Sequence, residues 1–318
     1  FNWLREGVSF WLFEDNGEFA IPRVGIEAEP HSWESRRYNG NFAFADGRVL
    51  LDHGMGDMHS PIDDSGKPSI LGAGPYSFQC IEPFRKWHVS YDGMAVDTRI
   101  ENQVAGNIDE NRRTHLKYDI ELTMNLPAWV QDISPEKFFN WGKGLKRDAL
   151  SIGLGWRFEQ MLRGEGELRI DGKSRNFSLS GMRVKRRSVR TDGLFLRGHC
   201  WLCAVFPDGS AFAALGYPPH HDGHEAWSEG FIHRNGKTYQ AKPVKMPWLT
   251  EVSASAQKVV LELKSELGVT RIEGSTLNST WGLNRKILPD FSLNQTGVAY
   301  SWDGKKAYGM LERSRMTT

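Results

Sequence analysis

The chain has 318 residues, 39% hydrophobic and 25% charged, with a formal net charge of +1. Near-neutrality supplies neither a basic field for nucleic acid nor an acidic one for cationic partners, and the ordinary charge density argues against disorder. The length admits two cores, no apolar run is long enough to cross a bilayer, and three cysteines are too few for a disulfide framework, so a reducing, cytoplasmic setting is expected.

In chain order, short Asn-Gly and Asp-Gly pairs separate apolar, β-branched and aromatic runs. They stand at Asn16-Gly17, Asn39-Gly40, Asp46-Gly47, Asp92-Gly93, Asp171-Gly172, Asp192-Gly193, Asp208-Gly209, Asn235-Gly236 and Asp303-Gly304. Type I′ turns need positive φ at both central residues, which these residues tolerate best, so the pattern predicts successive antiparallel hairpins. Strands are expected at 8–13, 41–45, 48–51, 76–81 and 87–91. Residues 115–124 alternate polar and apolar, as a wall with one wet face would. Residues 55–73 read as a loop. Ser134-Pro135-Glu136 opens a helix or loop over 134–150 that would cap the mouth of a barrel.

Gly164-Glu165-Gly166 is the expected boundary, dividing the chain into 1–163 and 164–318. The second half repeats the style at 167–170, 195–206, 211–217, 230–234, 259–263, 269–273 and 298–302. The predicted fold is therefore mostly β: two antiparallel lipocalin-like barrels, or strongly curled sheets, packed together. Cys200 and Cys203 are three apart on one expected strand and should face opposite sides, as core thiols. Twelve Trp and seventeen Phe suggest apolar walls, with Trp201 and Trp227 as candidate ligand contacts.

Several strings resemble a two-domain lipocalin-like superfamily that includes carotenoid hydratase (hydroxyneurosporene synthase), kievitone hydratase and fungal decalin-forming cyclases. Residues 34–40 (ESRRYNG), before Asp46-Gly47-Arg48, are similar to a Glu-Trp-Trp-Tyr-x-x-Gly element. Residues 81–87 (IEPFRKW) with Tyr91-Asp92-Gly93, then Phe158-Glu159-Gln160, and finally 308–312 (YGMLE) resemble further elements in the expected order. The chain departs where relatives carry Asp-His-x-Trp-Gly: Arg186, Arg187 and Val189 stand where Asp, His and Trp would be. Two guanidiniums there could bind a carboxylate or phosphate, or form a solvated strand end.

The resemblance implies a cofactor-independent lyase or isomerase acting on an apolar terpenoid, steroid or aromatic molecule. Such chemistry needs a proton donor near one carbon and a base or water near the other. A carboxyl in an apolar cup suits the donor role. Glu34 matches the superfamily's Glu and lies near His31, Trp33 and Tyr38, the expected substrate contacts. It could equally balance Arg36 and Arg37 at the surface. Glu159, among aromatics, is the second carboxyl, or else a strand-end salt bridge. His53 joins Asp57 and His59 in a Gly/Met loop. His221 and Asp222 lie in the densest titratable cluster, residues 220–225. A metal is conceivable at either, but none is expected. The alternatives are a non-catalytic carrier of a hydrophobic small molecule, encouraged by the missing Asp-His, and a metal-dependent enzyme using residues 220–225. A homodimer is a further expectation. All the chemical readings assume a dry, Trp-walled chamber enclosed by the two halves.

Overall fold

A computed structural model describes residues 4–29, 32–133, 135–189, 197–254, 256–283 and 291–316. The first portion contains β1 (Leu4–Glu14), β2 (Phe19–Glu29), β3 (Ser32–Phe44), β4 (Arg48–Asp57), β5 (Ile70–Ala73), β6 (Tyr76–Glu82) and β7 (Lys86–Arg99). It continues with α1 (Ile100–Ala105), β8 (Arg113–Met124), β9 (Trp129–Ile133), α2 (Pro135–Asn140), α3 (Lys143–Ile152), β10 (Leu154–Ile170) and β11 (Lys173–Val189). These strands form one antiparallel sheet ordered β4-β3-β2-β1-β11-β10-β8-β7-β6-β5, with β9 beside β10. The far end of β7 also pairs with β4, Leu51 opposite Val96 through Arg48 opposite Arg99, and brings the sheet round on itself.

The remaining strands are β12 (Gly198–Val205), β13 (Ala211–Gly216), β14 (Ser228–Arg234), β15 (Lys237–Lys245), β16 (Lys258–Ser265), β17 (Gly268–Leu283), β18 (Phe291–Trp302) and β19 (Lys305–Met316). Each pairs with the next and β12 pairs with β19, closing a barrel that leaves no edge. The mostly β class with two packed units is as the sequence indicates. No helix among the described residues is long and apolar enough to cross a membrane.

Period-two alternation decides what faces where. On β1, Val8, Phe10 and Leu12 point into the first unit, where they join Phe42, Tyr76, Tyr91, Tyr118 and Leu162. Trp11 and Phe13 point out toward the second. On β12, Cys200, Leu202 and Ala204 fill the barrel, whereas Trp201, Cys203 and Val205 face the first unit. The two thiols thus lie on opposite faces, for the reason the spacing gave. Buried side chains fill both cores among the described residues, so the expected dry, Trp-walled chamber is not inside either of them. A third cluster, with Met161, Met182, Ala213, Phe231 and Met310, joins the two units face to face.

The expected boundary shifts. Gly164 and Gly166 lie inside β10, which pairs without a break along β11 from Leu154–Val189 to Ile170–Lys173. A Cβ on Gly164 would lie 2.6 Å from the Glu121 carbonyl, so this glycine marks close approach to β8 rather than a linker. The change of unit falls between Val189 and Gly198. The turn signals divide as well. Asp171-Gly172, Asn235-Gly236 and Asp303-Gly304 adopt positive φ at both residues, as type I′ turns require. Asn39-Gly40 and Asp92-Gly93 lie within β3 and β7, and Asp192-Gly193 falls outside the described residues. The expected loop at 55–73 is shorter, because β4 runs to Asp57 and β5 starts at Ile70.

Candidate active site

Two adjoining spaces lie where the units meet. The larger is a groove of about 1080 Å³, floored by outward side chains of β3 and β4 (Asn41, Leu51, His53) and walled by Trp281, Phe291, Leu293 and Gln295 of the barrel. The smaller is a cavity of about 90 Å³ lined by Trp11, Arg157 and Arg186 of the sheet, His199, Trp201 and Glu312 of the barrel, and Ser151 and Ile152 at the end of α3. Arg23 and Glu27 of β2 border both, so the spaces share a wall.

Strand alternation puts ionisable groups on this interface in i, i+2 pairs. Arg157 and Glu159 share the outer face of β10, with guanidinium Nη2 2.7 Å from carboxylate Oε1 and both side chains almost completely buried. The Trp201 indole N–H donates to Glu159 Oε2 at 3.1 Å, and the Arg157 guanidinium stacks 4.5 Å over the Trp201 ring. Trp11 meets Trp201 edge to face at 4.7 Å. Burial pushes the Glu159 pKa up, against the opposing pull of Arg157 and the Trp201 hydrogen bond. Glu229 of β14 is raised to about 7, first by burial and then by the charge of Glu159.

Across the cavity, His199 Nε2 lies 3.0 Å from Glu312 Oε1. Ser314 accepts the His199 backbone N–H at 3.1 Å, and its hydroxyl lies 2.6 Å from Nδ1. The ring is therefore held from both sides, by Ser314 at Nδ1 and by Glu312 at Nε2. Burial works to raise the Glu312 pKa. The hydrogen bond and charge from His199, then Arg23 and the Gln295 hydrogen bond, outweigh it and bring the value to about 2. The Gln295 amide donates to Glu312 and accepts from Asn41, which lies 2.6 Å from His53 Nε2, so side-chain contacts run unbroken from groove to cavity.

The residues singled out from sequence separate. Arg186 and Trp201 line the cavity, with Glu159 buried behind Trp201; His53 and Tyr38 line the groove, the Tyr38 ring 5.1 Å from Tyr76. Glu34 does not lie in an apolar cup: it is exposed near the start of β3, where its carbonyl accepts the Met58 N–H. Trp33 is half exposed and Arg187 is exposed, 3.8 Å from Glu6. His31 falls outside the described residues.

The 220–225 cluster is divided by direction. His220 turns inward, 3.4 Å from the buried carboxylate of Asp148 on α3, which also accepts the Trp227 backbone N–H at 2.8 Å. His221 and Asp222 face solvent, and Asp222 pairs with Arg147 at 2.7 Å. Trp227 packs with Tyr217, Ala149 and Ile152, clamping α3 to the loop rather than lining the cavity. Among the described residues, no three His, Cys, Asp or Glu side chains are grouped to hold a metal ion.

Arg157, His199, Trp11 and Arg23 went unnoticed in the sequence, and Glu312 appeared there only as the end of the 308–312 string. For Arg157 and His199 the signal is an ionisable residue two positions from an aromatic or another ionisable residue on an otherwise apolar strand: Arg157-x-Glu159 and His199-x-Trp201.

The fold has known counterparts. A candidate AttH protein from Nitrosomonas europaea matches at TM-score 0.57 and 13% identity, over 99% of this chain and 92% of its own. Kievitone hydratase from Nectria haematococca matches at TM-score 0.51 and 11% identity, over 99% and 89%. CghA with Sch210972 matches at 0.53 and 12%, over 99% and 89%. The likeness is one of fold, which kievitone hydratase and CghA share with this chain. No curated protein matches the sequence. Residues 15–317 match one family along almost the whole chain, and the protein belongs to it: the domain of unknown function DUF7064.

Proposed function

We propose that the protein is a cofactor-independent lyase or isomerase for a largely apolar small molecule, whose body lies in the groove and whose reacting end reaches the interdomain cavity. The observation that carries this reading is the His199–Glu312 pair on the cavity wall, with Glu159 buried just behind Arg157 and Trp201. In a hydration, an acid adds its proton to one alkene carbon while water bonds through oxygen to the other and gives its proton to a base; dehydration reverses each step. The His199–Glu312 pair, with Ser314 holding the ring, acts together as the base that takes or returns the water proton. Glu159, whose burial favours the neutral carboxyl, is the acid, and it meets the substrate once the Arg157 and Trp201 side chains in front of it shift. The fold shared with kievitone hydratase supports the reaction class.

The test is turnover of an alkene and alcohol panel by the wild type beside His199→Gln and Glu159→Gln. Each variant should lose about 10²- to 10⁴-fold in kcat/KM, the usual worth of a positioned acid or base. Wild-type rates in both would remove this site from the mechanism.

A second reading, a non-catalytic carrier, draws on Arg186, which lines the cavity where the resemblance places an acidic residue. A ligand that co-purifies with the protein and is recovered unchanged after prolonged incubation would favour the carrier; conversion during incubation would favour the enzyme.

A further inference from the structure

The hydrogen-bonding groups on the cavity wall are unequally matched. Trp11 and Arg157 are 3% and 4% exposed, and both line the cavity. The Trp11 indole N–H, the Arg157 Nε–H and the Nε–H of neighbouring Arg23 have no acceptor among the described residues. Trp11, Trp201, Arg157 and Arg23 form one contiguous group: the two indoles touch, and the guanidiniums of Arg157 and Arg23 lie 4.5 Å and 5.7 Å over the Trp201 and Trp11 rings. A buried donor without an acceptor is costly, and native interiors rarely leave one. Here three donors sit in one neighbourhood, against one acceptor without a hydrogen bond, Glu159 Oε1, which lies behind Arg157.

The guanidiniums favour an anionic complement: Arg23, Arg157 and Arg186 all border the cavity, beside the carboxylates of Glu27 and Glu312, with Glu159 pairing Arg157 at 2.7 Å. Volume narrows it further. About 90 Å³ is room for roughly three waters, enough for a carboxyl group with a carbon or two but not a ring system. The shared Arg23–Glu27 wall leads from the cavity to the groove, where Leu51, Trp281, Phe291 and Leu293 offer apolar surface.

We infer that the cavity is a subsite for a single carboxylate, so that the ligand of this protein is an amphipathic monocarboxylic acid with its head on the Trp11, Arg23 and Arg157 donors and its apolar body in the groove. This rests on the interface being the ligand site, and it deepens that reading by naming the substrate class.

The experiment is calorimetric titration of the full chain with n-alkanoates from butyrate to dodecanoate and with the 1-alkanols of matching length. The alkanoates should bind more tightly than the alkanols. Trp11→Phe, which keeps the ring and removes the N–H, should weaken alkanoate binding about tenfold and leave alkanol binding unchanged. Trp87→Phe removes another buried indole N–H that lacks an acceptor, but one outside the cavity, and should change neither. Equal affinity for acid and alcohol, absence of alkanoate binding, or equal weakening by both substitutions overturns the inference. Because binding is read without turnover, the two proposals separate. Alkanoate selectivity without any catalysis keeps the subsite and discards the enzyme; turnover confined to neutral substrates does the reverse.

Discussion

Glu312 and Glu229 lie on the same interface and titrate in opposite directions. The Glu312 pKa falls to about 2, so the carboxylate stabilises the fold above the unfolded value near 4.5. That contribution, on the order of 3 kcal/mol, is lost as pH falls from about 5 through 2. Glu229 is raised to about 7. Between pH 4.5 and 7 the folded state therefore binds more protons than the unfolded chain, and stability falls as pH rises through that window. Glu229→Gln removes this titration. Urea unfolding should find the variant more stable than wild type by about 3 kcal/mol at pH 8, with the advantage shrinking toward zero by pH 4. An advantage independent of pH would show that Glu229 does not titrate as its burial dictates.

At the scale of single elements, glycine is where sequence patterns mislead, because one residue type serves two physical needs. At Asp303-Gly304 it supplies positive φ for a turn, and the expectation holds. At Gly40 the chain is extended within β3, and what excludes a side chain is the Tyr76 hydroxyl beneath it, with Phe42 at 2.9 Å. Nothing in Asn39-Gly40 separates these cases, since the tyrosine is 36 positions away in sequence. Gly40→Ala should therefore destabilise by about 1–3 kcal/mol through overpacking rather than through backbone strain. Tyr76→Phe in the same chain removes the clashing oxygen and should recover part of that loss, a coupling that a double-mutant cycle in urea detects. Additive effects would place the cost in the backbone instead. The same local blindness explains the misplaced boundary, because the Gly164 requirement comes from the Glu121 carbonyl of β8.

Across the whole molecule, class and strand alternation were legible because they depend on neighbours one or two positions apart. The site was legible only in part. Glu159, Trp201 and Arg186 could be picked out as unusual residues, yet their meeting depends on which outer faces two separately closed units turn toward each other, and no local pattern records that. Chemistry also drew attention to residues 220–225, where density of titratable groups reflects a turn clamped to α3 through Asp148. The interface itself makes a strong demand on folding. Trp201, Val205, Ala213, Phe231 and Met310 of the barrel are buried only because Trp11, Phe13, Met161 and Met182 cover them. Full burial of one large apolar side chain is worth about 1.5–3 kcal/mol, so exposing this face forfeits much of a domain's ordinary stability margin. A chain of residues 197–316 alone contains every barrel strand but leaves that face uncovered. It should self-associate or bind a hydrophobic dye, and melt less cooperatively than the full chain measured beside it. A monomeric fragment that melts cooperatively without binding dye would mean that the barrel is independently stable and that the cavity forms between two preformed bodies.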